Sequence, residues 1–174
     1  MQVKYQQGVG LLEVLVALML LAIAVLGFVA LQLRAVEATA EGANRIQAMN
    51  IARDLAEKIR INRTAMASYA TALGSVTNQA ATPTNCYTAF CTPEAKAGFD
   101  VNEAYLQADS LGMRLNMLSC PGTANGRQCI YVAWGKTDAV DTTATTTGHT
   151  ACTTSSSSSF SYNDSSTCIV METY

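Results

Sequence analysis

Gly8-Val9-Gly10-Leu11-Leu12-Glu13, followed by residues 14–33 without a single charge, decides how this chain folds. Residues 14–33 read VLVALMLLAIAVLGFVALQL, and Gln32 is their one polar side chain. An apolar helix needs about 20 residues to cross a bilayer core of about 30 Å. Each Leu, Ile, Val or Phe near the centre favours insertion by about 0.3–0.6 kcal/mol. Lys4 is the only charged side chain of residues 1–7, and no acidic residue precedes Glu13. The positive-inside rule therefore predicts a cytoplasmic N-terminus and a chain that lies outside beyond Arg34.

A cleaved secretory signal has an apolar core of about 7–15 residues with a small-residue cleavage site after it. This span is longer, and it runs into Gln32-Leu33-Arg34-Ala35-Val36-Glu37 with no turn signal. A plain anchor explains the length but not Glu13. A carboxylate at the end of a membrane helix is costly and tends to be functional, although it also complements the helix dipole. A glycine, a glutamate five residues on and an apolar span together resemble the processing site of type IV prepilins. The resemblance implies a membrane-embedded peptidase that cuts after Gly8 and methylates the new N-terminus at Val9. Glu13, the fifth mature residue, then helps dock the subunit into a filament by facing the N-terminal amine of a neighbour. Two opposite charges in a low-dielectric bundle attract strongly, and each needs its partner. The sequence departs from the family at Val9, where Phe is usual. Gly10 is a second candidate for the cut-site glycine, but Glu13 would then be the third mature residue. No proline occurs before Pro83, so the helix is expected to be less kinked than in many major pilins.

The helical pattern continues past the membrane span. Residues 34–73 hold no proline, and Gly42 is their only glycine. Ile46, Met49, Ala52, Leu55, Ala56 and Ile59, then Met66, Tyr69 and Leu73, recur at helical steps, which predicts one buried stripe. A break at Gly42 is the alternative, and the stripe is too ragged for a free coiled coil. Residues 74–85 read as a loop. Thr92-Pro93-Glu94 reads as a helix start, and Gly112 as its stop. Residues 113–118, 129–134 and 168–174 carry strand signals, and residues 121–126 carry turn chemistry. The expected fold is α+β, the ladle of type IV pilins. It has a long N-terminal helix whose first half spans the membrane, and a C-terminal antiparallel sheet packed on its second half. Residues 1–8 are the leader, 9–33 the membrane and assembly helix, 34–73 its amphipathic continuation and 74–174 the head.

Cys86, Cys91, Cys120, Cys129, Cys152 and Cys168 all follow the span, and their number is even. That fits an oxidising compartment. Six cysteines allow 15 pairings. Nearest-neighbour pairing is the simplest: Cys86 with Cys91, Cys120 with Cys129, Cys152 with Cys168. No C-x-x-C occurs and His149 is the one histidine, so zinc and redox chemistry find no motif and no cofactor is expected. Net charge is −2, and losing Lys4 with the leader makes it −3, which gives nucleic acid no electrostatic footprint. Arg45, Arg53, Lys58, Arg60 and Arg63 share one helix with interleaved acidic residues, the pattern of a solvated face. Residues 141–167 are mostly Ser, Thr, Ala and Gly, the composition of a mobile loop or bridged flap. Asn62-Arg63-Thr64 and Asn163-Asp164-Ser165 match the glycosylation pattern, and His149 reads as a surface residue.

The segment from Gly10 to Leu18 resembles the PilV, or type IV pilus modification protein, family of minor pilins. Cys86 and Cys91 ahead of Thr92-Pro93, Asp100 and a strand ending at Trp134 add a second resemblance. The family implies a low-abundance subunit of the inner membrane and then of the surface pilus. It primes assembly with other minor pilins and supports twitching, adhesion or DNA uptake. The implied partners are the prepilin peptidase, the major pilin and other minor pilins, a large tip adhesin, the assembly platform and membrane lipid. A minor pseudopilin of type II secretion has a similar leader. An anchored periplasmic enzyme or binding protein is the rival from another class, and it lacks a phosphate loop and a His-based triad. Gly8→Ala is expected to block leader removal, whereas Glu13→Ala is expected to be cleaved normally yet assemble poorly. Gel mobility of the membrane-bound protein in the native host checks both.

Overall fold

The computed structural model describes residues 10–121, 123, 126–156 and 159–173. The chain forms two compact units, Met1–Ala43 and Asn44–Tyr174. Helix α1, Leu11–Ile61, runs without interruption through Gly42. In the first unit every described residue is exposed, and residues 14–33 are apolar on all sides, the pattern of a helix that lipid or other helices cover.

In the second unit α1 ends where Asn62 leaves helical geometry at φ −115° and ψ 49°. Asn competes with the helix through its own side chain, and here its Nδ2 donates to Pro93 O at 2.7 Å. A 3-10 turn over Arg63–Ala65 leads into α2, Met66–Leu73. The helix expected to reach Leu73 unbroken is therefore two helices. A short α3, Val76–Gln79, stands where a loop was expected. Helix α4, Pro93–Ser110, starts on Thr92, whose side chain accepts from Ala95 N–H. Gly112 at φ 66° follows its end, a left-handed position that suits glycine.

Strands β1, Met113–Ser119, β2, Gln128–Trp134, and β6, Cys168–Glu172, form an antiparallel sheet in the order β1-β2-β6. Side chains alternate between its faces. Met113, Leu115, Met117, Ile130, Val132, Trp134 and Ile169 pack with the helices, against Ala48, Ile51, Leu55, Ile59, Tyr69, Leu73 and Val101. Cys129, Tyr131, Ala133 and Cys168 line the other face with Ala139 and Cys152. Those last two belong to a second sheet, made of β3, Thr137–Asp141, β4, Thr150–Ser155, and β5, Phe160–Tyr162. Strand β2 is thus covered on both faces. The expected stripe on α1 needs correction: Ile46 and Met49 are 63% and 41% exposed, and Ala48 and Ile51 take their place in the core.

The second sheet corrects the reading of residues 141–167 as a loop, because β4 and β5 lie within them. It also adds a parallel pair, β3 with β4. Parallel neighbours ordinarily need a dozen or more connecting residues; here residues 142–149 suffice. The crossover leaves β3 through a γ-turn at Thr142, whose φ is 62°, with Thr143 N–H donating to Asp141 O at 2.8 Å. Such a backbone costs on the order of 1–3 kcal/mol. Buried Asp138 ties the crossover down. Its Oδ2 accepts from Thr145 N–H at 2.8 Å, Thr145 Oγ1 at 3.0 Å and Thr146 N–H at 2.6 Å, and its Oδ1 lies 2.7 Å from His149 Nδ1. Asp141 accepts from Thr153 Oγ1 at 2.8 Å and from Ser155 Oγ.

Side chains rather than a backbone ladder join the two sheets. Arg114 donates to Gly135 O at 3.1 Å and Thr137 O at 3.0 Å, and Asn116 Nδ2 donates to Ala139 O at 2.9 Å. The outer edges of the first sheet are likewise engaged. Gln79 Nε2 donates to Leu115 O at 3.0 Å, and Val170 N–H donates to the Tyr162 hydroxyl at 3.1 Å.

Burial alone would push the Asp138 carboxyl up, but hydrogen bonds from Thr146, His149 and Thr145 outweigh it and hold the group at about 2. A carboxyl held below its ordinary 3.8 contributes stability that is complete above that value and disappears as pH falls towards about 2. Asp138→Asn is expected to lower the melting temperature at neutral pH and to flatten acid unfolding between those two values, measured by circular dichroism on the full-length protein in detergent. In the same preparation Leu55→Ala is expected to cost about 2–5 kcal/mol, whereas Ile46→Ala should stay within about 0.5 kcal/mol.

Candidate functional site

Glu13 lies in the first turn of α1. Its N–H and that of Val14 donate to Gly10 O at 2.9 and 3.3 Å, which closes the start of the helix. The side chain is exposed, and so are Leu11, Leu12, Val14, Leu15 and Val16 around it. Gly8 and Val9 lie outside the described residues. Glu13 is the one charge between Leu11 and Leu33. Helix α1 is long and apolar enough to cross a membrane. In that setting an ionised carboxylate is stable only beside a cation or a set of donors. Among the described residues the first cationic side chain after Glu13 is Arg34, so the arrangement suits an attachment point completed by another molecule.

The head carries polar clusters of its own. Asp138 and His149 form a pair that sequence reading missed: His149 is no surface residue, with only 16% of its side chain exposed. No periodicity links Asp138 on β3 to a histidine at the far end of a Thr-rich crossover, so nothing in the chain announced the pair. The Asp138 oxygens are already occupied by Thr145, Thr146 and His149, and the pair works as a clasp. A cleft of about 330 Å³ beside it is lined by Ser75, Gln79, Arg114, Asn116 and Asp138. Arg114, Asn116 and Gln79 donate to main-chain carbonyls, so their polar groups hold the seam together. Among the described residues no three His, Cys, Asp or Glu side chains are grouped to hold a metal ion.

Two further polar sets are structural. Tyr69 donates to Asp100 Oδ2 at 2.6 Å, and Lys96 pairs with Asp100 Oδ1. Burial first, then the Asp100 carboxylate, pushes the Tyr69 hydroxyl up, which keeps it a donor. Tyr87 donates to Glu103 Oε1 at 2.7 Å and packs edge-on against Phe99 at 5.1 Å, so the Cys86–Cys91 loop is held onto α4. The other disulfides are Cys120–Cys129, across the β1–β2 connection, and Cys152–Cys168, between the sheets. Both glycosylation-pattern asparagines use their amides internally: Asn62 on Pro93 O, and Asn163 on Ala151 O at 2.8 Å and Thr153 O at 3.3 Å.

No curated protein and no solved structure matches the chain. Two family models do. Residues 3–29 match the prokaryotic N-terminal methylation motif. Residues 30–102 match the Tt1218-like family, described as type IV pilin Tt1218. The two stretches adjoin, so that from residue 3 to residue 102 the chain is similar first to the methylation motif and then to a type IV pilin.

Proposed function

We propose that this chain is a minor pilin of the PilV type. It is cut after Gly8, methylated at Val9, and inserted through Glu13 into a priming complex with other minor pilins at the start of a type IV pilus. One observation carries the reading: a lone carboxylate in the first turn of a membrane-length apolar helix, within a stretch that matches the methylation motif. The role is structural. The apolar helix holds the subunit in the inner membrane until the N-terminal amine of a neighbour completes Glu13, and the disulfide-braced head travels with it to the surface. The prepilin peptidase, the major pilin and the other minor pilins are the partners this sequence of events requires.

N-terminal sequencing and intact mass of the protein from native membranes test the processing step; a methylated Val9 is the expected start, and an unprocessed Met1 would refute it. Deleting the gene is expected to abolish surface pili while the major pilin remains in the membrane. Loss of enzyme secretion with intact twitching would instead assign the subunit to a type II secretion machine.

A further inference from the structure

We propose that the cleft between the α2–α3 turn and the seam of the two sheets binds the α-carboxylate and adjacent N–H of an aliphatic amino-acid residue, free in solution or at the end of a peptide. The cleft lies wholly within the second unit, and its chemistry is separate from that of Glu13.

Arg114 on β1 supplies the cation. Its Nη1 donates to Gly135 O at 3.1 Å and to Thr137 O at 3.0 Å. Those bonds fix the guanidinium plane and use that nitrogen alone. Nε and Nη2 have no partner among the described residues, and no carboxylate there pairs with Arg114. Their N–H groups form one edge of the planar fork, which takes a carboxylate through two parallel hydrogen bonds. An edge already held in place loses little freedom on binding.

Gln79 supplies the acceptor. Its side chain is buried, and Nε2 donates to Leu73 O at 2.7 Å and to Leu115 O at 3.0 Å. Oε1 remains an acceptor with no donor among the described residues. Among those residues no side-chain oxygen closed off from solvent lacks a partner, so Oε1 opens onto the cleft that Gln79 lines. Leu73, Val76 and Val140 add an apolar wall, on which Val76 stands 63% exposed. The volume of about 330 Å³ is at the small end of the roughly 300–1,000 Å³ of ligand sites. Asp138 shares the cleft, and its charge opposes an anion that carries no donor of its own, such as phosphate. A carboxylate and an N–H joined through one carbon that also bears an aliphatic side chain answer the cation, the acceptor and the wall together.

Isothermal titration calorimetry on the full-length protein in detergent, with protein-free micelles as the blank, tests the site with L-leucine, N-acetyl-L-leucine and N-acetyl-L-leucinamide. Saturable binding is expected for at least one of the two carboxylates. Loss of the carboxylate in the amide is expected to weaken binding about tenfold or more. Tighter binding of L-leucine identifies a free amino acid as the ligand, and tighter binding of N-acetyl-L-leucine a peptide end. Arg114→Lys keeps the charge but not the fork and is expected to weaken binding about tenfold. Val76→Glu, at an exposed position on the wall, is expected to do the same by repelling the carboxylate while the melting temperature is unchanged, so misfolding cannot imitate the result. No saturable binding of either carboxylate, equal binding of the amide, or unchanged affinity in Val76→Glu would each overturn the site.

Discussion

An unbroken series of backbone hydrogen bonds from Leu11 to Ile61 underlies the rest of this molecule. In a bilayer every main-chain N–H and C=O must be satisfied within the segment itself, and a helix does that without help from side chains. Gly27 and Gly42 each cost about 1 kcal/mol of helix propensity relative to Ala, and neither interrupts the series. With the backbone satisfied, side chains are free to answer different surroundings along its length. Among the described residues up to Ala43 nothing is buried; from Ala48 onward one stripe of small and branched residues, Ala48, Ile51, Ala52, Leu55 and Ile59, supplies the surface on which the first sheet packs.

The elements legible in the sequence were those written in apolar periodicity or cap chemistry. Thr92-Pro93-Glu94 announces α4 because a hydroxyl acceptor, a fixed φ and an acidic first turn all serve one helix end. Strands β1, β2 and β6 are legible because their apolar residues alternate or run continuously. The Glu13 motif is legible from its spacing, while Gly8 and Val9 lie outside the described residues. The second sheet was not legible. Its order comes from Asp138, Asp141, Arg114 and Asn116 bonding to main-chain or hydroxyl groups distant in sequence, and a Ser/Thr-rich composition carries no period that reveals them. Ile46 and Met49 fail for another reason. Helical spacing shows that a face is apolar, but not whether the same chain covers it.

That second sheet has little apolar surface, and covalent and polar ties take the place of burial. Closing a loop of about 15 residues with a disulfide contributes roughly 3 kcal/mol in the chain-entropy model. The Cys152–Cys168 bridge, with a sequence separation of 16, is therefore large enough to offset a Thr142 turn that costs on the order of 1–3 kcal/mol. The carboxylates of Asp138 and Asp141 then fix the path that the bridge only shortens.

The engaged strand edges have a consequence for subunits gathered at high local density in a membrane. Two heads meeting side by side would ordinarily present rows of open amides and carbonyls, each a template for the other. In this protein Gln79 already occupies Leu115 O on one border of the sheet, and the Tyr162 hydroxyl occupies Val170 N–H on the opposite border. A neighbouring head therefore meets a side chain already bonded to the backbone at each border of this sheet, which obstructs a continuous added strand there.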